Sequence, residues 1–161
     1  MLSVTSSVYD PLGFLAPVTL PAKMMQQELC RKGCGWDDDL PRDILPHWKR
    51  WLEDLKQLSA FSVGRCIKPV GFGEIKHAQL HHFADARERG YGTVTYICML
   101  NQENNIQVTF LLGKARVTPL RAVIIPRLEL TAAVLTVQSG FVVKGRSGTK
   151  GRGVWQLEIS W

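Results

Sequence analysis

Hydrophobic positions change their period twice along this chain, and the changes divide it. Near the start, three prolines and a glycine stand among apolar residues in Tyr9-Asp10-Pro11-Leu12-Gly13-Phe14-Leu15-Ala16-Pro17-Val18-Thr19-Leu20-Pro21. Proline fixes φ and removes a ladder donor, so this stretch is expected to be an extended, packed connection. Pro21 suits the opening of a helix over 22–31, which Gly33 and Gly35 then stop. Asp37-Asp38-Asp39 ahead of Pro41 is a favourable N-terminal cluster for the next helix. Leu45, Trp48, Trp51, Leu52, Leu55 and Leu58 follow at steps of three and four, the pattern of an amphipathic helix. Tryptophans on such a stripe read as core rather than as a base-stacking platform.

From Ala60 the helical period is lost. Residues 60–76 carry glycine and short β-prone pieces. Ala78-Gln79-Leu80-His81-His82-Phe83-Ala84 then reads as a strand running out at Asp85, with a polar elbow beyond it. Residues 92–100 and 106–112 are rich in β-branched and aromatic types and are expected to be strands, joined by the polar turn Asn101–Asn105. Short connections imply an antiparallel three-stranded meander. Pro126 announces a further helix, with Leu128, Ala132 and Leu135 on one face and Glu129 in its first turn. Beyond Gln138, the basic, glycine-rich run Lys144–Gly153 has too little apolar surface to offset ordering entropy and is expected to be disordered.

The fold class expected is therefore α+β: a helical segment, a meander with one helix, and a disordered tail. Charge adds a bias. Lys and Arg outnumber Asp and Glu by 20 to 14, a net charge of +6 that favours polyanionic partners such as nucleic acid. No apolar run is long enough to cross a bilayer and no secretory signal is evident, so no membrane partner and an intracellular site in cytoplasm or nucleus are expected. Cys30, Cys34, Cys66 and Cys98 fit neither a disulfide framework nor a zinc spacing and read as free thiols.

The candidate chemistry lies in two carboxylates. An acidic residue where a strand runs out is held still by the sheet, and Asp85 is in that setting. Brought near Glu129, it offers the hard oxygen ligands that Mg²⁺ prefers, and paired ions can activate water against a phosphodiester. Composition and order alone leave the blander readings open: a turn-forming Asp and a Glu partnering the helix dipole.

Tyr9-Asp10-Pro11-Leu12-Gly13-Phe14-Leu15-Ala16-Pro17, Gly35-Trp36-Asp37, Phe83-Ala84-Asp85-Ala86 with Tyr91-Gly92, and Ile125-Pro126-Arg127-Leu128-Glu129-Leu130 together resemble the pol polyprotein of BEL/Pao-type LTR retrotransposons. The resemblance covers residues 3 to about 138. It implies a reverse-transcriptase thumb or connection-like segment over 1–62, the first half of a ribonuclease H-like domain over 63–138, and a non-homologous tail over 139–161. It also implies that Asp85 and Glu129 descend from metal ligands of an Mg²⁺-dependent site that cleaves RNA/DNA hybrids, in a parent where the remainder of the pol polyprotein is a partner. Arg87 stands where that family has a small hydroxyl residue. The family continues into a fourth strand bearing a T-D-S-like Asp and later a last acidic ligand. Here no Asp follows Asp85, and Glu158 is the sole acidic residue after Glu129. The expectation is a truncated ribonuclease H-like unit, catalytically incomplete, with weak or absent Mg²⁺ binding. The alternative is a non-enzymatic remnant that binds nucleic acid or protein. The region also carries a Pao peptidase label, but an aspartic peptidase presents its Asp in a D-T-G or D-S-G turn, and neither tripeptide occurs. DNA synthesis is not expected either, since the polymerase aspartates belong to an upstream palm segment.

Overall fold

The computed structural model describes residues 1–64, 66–121, 123–147 and 155–159. Three helices come first: α1 (Leu2–Ser7), α2 (Ala16–Arg31) and α3 (Leu45–Gln57), the last continued by a 3₁₀ turn at Leu58–Ala60. Then follow β1 (Ile75–Arg87), β2 (Gly90–Asn101), β3 (Ile106–Val117), α4 (Ile125–Ser147) and β4 (Trp155–Ile159). The class is α+β, and the antiparallel meander β1–β2–β3 is present. Strand β4 joins it, parallel to β1, giving the sheet order β3-β2-β1-β4.

Helix α2 starts six residues earlier than proline placement suggested. Pro17 occupies its first turn and Pro21 sits inside it. The start is fixed by Asp10, whose carboxylate accepts the backbone N–H groups of Gly13 at 2.9 Å and Leu15 at 2.8 Å. That carboxylate supplies an acceptor at the point where a helix start leaves donors unpaired. At the other end Gly33 takes a left-handed φ of +69° and the Cys34 N–H returns to the Leu29 carbonyl, a Schellman-type stop. Asp37–Asp39 do not cap α3, which begins at Leu45 with no acidic residue in its first turn; Asp38 instead accepts the Gly35 N–H at 2.7 Å.

Two cores hold the chain. Trp48 and Trp51 are buried, stacked at 4.8 Å between ring centroids, and pack with Ala22 and the flanking apolar residues of α1 and α2. The Trp51 indole N–H donates to the Val18 carbonyl at 2.8 Å, tying α3 to α2. The second core lies between α4 and one sheet face, where Leu128, Ala132 and Leu135 cover Ala84 and Tyr91. A buried hydroxyl pair, Thr93 and Thr136 at 2.8 Å, lies in the same layer, and His82 Nδ1 meets Thr95 Oγ1 at 2.8 Å.

The helical part and the sheet are joined at the β3 edge, where α2 packs. Gly113 donates its N–H to the Leu12 carbonyl at 2.7 Å, and the Phe14 and Phe110 rings lie 4.2 Å apart. Edge strands expose unpaired backbone groups, and the Leu12–Phe14 strap occupies part of this edge. Helix α4 runs on through Gly140 and Gly145 to Ser147, into the start of the Lys144–Gly153 run expected to be disordered. Glycine weakens a helix by about 1 kcal/mol per site without forbidding it. Beyond that run, Trp155–Ile159 form strand β4. The rest of the run expected to be disordered, 148–153, lies outside the described residues. Among the described residues no helix is long and apolar enough to cross a membrane, and the four cysteines are free, Cys30 and Cys66 being exposed.

Candidate functional site

Asp85 does not end its strand. Strand β1 continues to Arg87, which pairs with Gly90, leaving Glu88 and Arg89 as a two-residue hairpin connection. The polar elbow is therefore shorter and later than expected. Alternation had the information: Ala84 and Ala86 are apolar, and Asp85 and Arg87 interleave with them. Side chains of a strand alternate between faces, so Ala84 and Ala86, packed in the α4 core, turn Asp85 to the opposite face.

On that face Phe83, Tyr96 and Phe110 form a row of edge-to-face rings, 6.0 Å and 5.8 Å between successive centroids. Across the sheet from Asp85, on the β2 side, stand Gly92 and then Ala115, so neither of these positions offers it a polar side chain. Its described partner comes from its own strand. Arg87 Nε donates to Asp85 Oδ2 at 3.3 Å, with the two side chains 85% and 56% exposed. The i, i+2 spacing in an extended strand places both on one face, and this pairing is the signal that reading Asp85 as a strand end concealed.

Glu129 is the fifth residue of α4 and not in its first turn, which holds no acidic residue. The helix starts at Ile125, with Arg127 and Leu128 N–H groups reaching the Ile124 carbonyl, so the dipole argument for Glu129 loses most of its force. Glu129 is half-buried next to the core residue Leu128. Glu158, which sequence context gave no reason to single out, lies in β4 at the register of Phe83, two positions before Asp85.

The donor chemistry of Asp85 and Glu129 suits Mg²⁺, but the arrangement does not. Among the described residues no three His, Cys, Asp or Glu side chains come together in a way that could hold a metal ion. A guanidinium already neighbours the Asp85 carboxylate. Mg²⁺ demands near-octahedral oxygen coordination, and two-ion chemistry needs ligands shared between the ions. The described side chains do not make such a site.

Other titratable groups show what the sheet does with charge. Burial, reinforced by the neighbouring His81, holds the His82 imidazole below its ordinary pKa. Arg87, Arg89 and Arg116 are exposed at the hairpin end of the sheet, while Lys32 pairs with Asp43 at 2.6 Å between α2 and the turn before α3. A groove of about 1,110 Å³ lies between α2, α3 and the hairpin end, lined among others by Met24, Arg31, Arg50, Trp51, Arg89 and Pro119.

A family model described as the Pao retrotransposon-like RNaseH-like domain matches residues 1–150. The match takes in the N-terminal helices as well as the meander and α4, and runs past Gln138. No curated protein and no solved structure matches the chain.

Proposed function

We propose a function on the premise that this chain belongs to the Pao retrotransposon-like RNase H-like domain family: as it stands it does not cleave RNA/DNA hybrids, although its lineage is that of a hybrid-hydrolysing pol protein. The observation that carries this reading is the setting of Asp85, paired with Arg87 and without two further metal-ligating side chains among the described residues. Hydrolysis of a phosphodiester by metal-bound water needs a rigid anionic cradle for the ions. A lone exposed carboxylate with a guanidinium beside it supplies neither enough charge nor enough geometry. The test is direct. Purified chain, RNA/DNA hybrid and Mg²⁺ or Mn²⁺ are expected to give no cleavage above that of Asp85→Asn. Cleavage that disappears in the Asp85→Asn variant refutes the reading.

A second reading, nucleic-acid binding without catalysis, is supported by the +6 charge and by the three arginines at the hairpin end. Its signature is electrostatic: affinity falls steeply as salt rises, with little preference among sequences. Binding that is absent at low salt, or insensitive to salt, removes it.

A further inference from the structure

We propose that Arg87 acts as a built-in counter-ion for Asp85, so that a divalent cation binding this carboxylate has to compete with a guanidinium. The inference rests on the reading of Asp85 given above and names the residue that limits cation access there. It starts from the extent of β1. Because the strand continues through Ala86 to Arg87, residues 85 and 87 share a face two positions apart, and the Nε–Oδ2 separation is 3.3 Å. Had the chain turned at Asp85, the guanidinium would have had no fixed relation to the carboxylate.

On the β2 side the sheet leaves this pairing little competition. The cross-strand neighbour of Asp85 is Gly92, and the next strand presents Ala115. Gly92 is itself confined: a Cβ there would lie 2.8 Å from the Lys114 carbonyl oxygen. A bulkier polar side chain that might share the carboxylate is therefore not accommodated without backbone movement. Arginine stays protonated at every accessible pH, so the counter-charge is permanent. Both groups are largely exposed, which makes the pairing weak. Exposed ion pairs of this kind alter an equilibrium by about two- to fivefold. That is the size of effect to expect, and it is large enough to measure.

The probe is Mn²⁺ alone, read by paramagnetic broadening of the backbone amides of Asp85, Ala86, Gly92 and Ala115 in the isotope-labelled full chain. The Arg87→Gln variant is expected to reach half-broadening at about two- to fivefold lower Mn²⁺ than the unmodified chain. Arg87→Lys, which keeps the charge, is expected to stay close to the unmodified chain, and the Arg87→Gln gain is expected to shrink as salt rises. Asp85→Asn is expected to abolish the broadening. Equal midpoints for the unmodified chain and Arg87→Gln overturn the proposal, as does broadening that persists in Asp85→Asn or is absent from every variant. Cleavage of a hybrid by the unmodified chain would sink the catalytically silent reading without changing the ratio of Mn²⁺ midpoints, so the two failures are distinguishable.

Discussion

Replacing Gly13 by alanine tests whether the N-terminal strap and the sheet form one structural unit. Gly13 has φ of +79°, a left-handed conformation, and an added Cβ would lie 1.9 Å from the Gly113 carbonyl oxygen and 2.6 Å from its carbon. The first cost is conformational, about 1–2 kcal/mol for a Cβ-bearing residue held left-handed. The second follows from the clash. The obstructing atoms are backbone, so the strap has to lift, weakening the Gly113–Leu12 hydrogen bond at 2.7 Å and the Phe14–Phe110 contact. Loss of one such hydrogen bond costs about 0.5–1.5 kcal/mol and the ring contact a similar amount. Together the substitution should destabilise the fold by about 2–5 kcal/mol. With an m-value of about 1.5–2 kcal/mol/M, the urea midpoint falls by about 1–3 M. Gly33 supplies the control: its φ is +69° but nothing lies within 4 Å of an added Cβ. Gly33→Ala should therefore cost only the conformational part, about 1–2 kcal/mol. Hydrogen exchange at the Gly113 amide should accelerate in Gly13→Ala and stay unchanged in Gly33→Ala. If the two variants lose equal stability, the close approach of strap and strand has no energetic consequence and the reasoning fails.

The buried hydroxyl pair predicts an asymmetry. Thr136 donates to the Ala132 carbonyl at 3.0 Å, so the Thr93 hydroxyl is the donor to Thr136 Oγ1. Thr136→Val then strands a buried donor and should cost about 1–3 kcal/mol, whereas Thr93→Val should cost about 1 kcal/mol; urea melts that reverse this order refute the assignment. Trp51→Phe should lose about 1 kcal/mol with its hydrogen bond to Val18, while Trp36→Phe, on a side chain 86% exposed, should be neutral in the same melts. His82 predicts a pH dependence. Its folded pKa is held down, so between that value and the ordinary 6.5 the unfolded chain binds more protons. Stability should thus fall as pH drops through the region near 6.5 and below, and His82→Gln should flatten that part of the curve; an equal acid slope in both proteins would contradict it.

The periodic elements were legible because their patterns are redundant. Six apolar positions at helical spacing mark α3, and alternation with β-branched residues marks β2 and the first half of β3. The stripe Leu128, Ala132 and Leu135 identified the buried face of α4 correctly. Element ends were less legible, for reasons that differ by site. Helix α2 begins early because Asp10, a residue outside the helix, satisfies donors at Gly13 and Leu15, and no local propensity encodes that contact. Helix α4 outruns Gln138 because glycine lowers helix propensity without forbidding the helix. Strand β4 was invisible as such: five residues carry too little pattern, and its place is set by pairing with β1, far away in sequence.

The site shows the same division between what neighbours in sequence determine and what the fold determines. The residue type and approximate place of Asp85 could be read directly, and so could the absence of any later aspartate. What could not be read was the strand's continuation by two residues, which places Arg87 beside the carboxylate. A carboxylate at a strand end faces whatever the loop brings to it. A carboxylate two residues inside a strand shares its face with residue i+2, which here is an arginine. The sheet that holds Asp85 in position therefore also holds its neutralising partner in position. Moving a chain turn by two residues is sufficient to convert a candidate metal ligand into half of an ion pair, without altering either residue. If Arg87 competes with cations for Asp85 as proposed, its removal should raise divalent-cation affinity by about two- to fivefold, and acidic residues added elsewhere should gain less affinity while Arg87 remains.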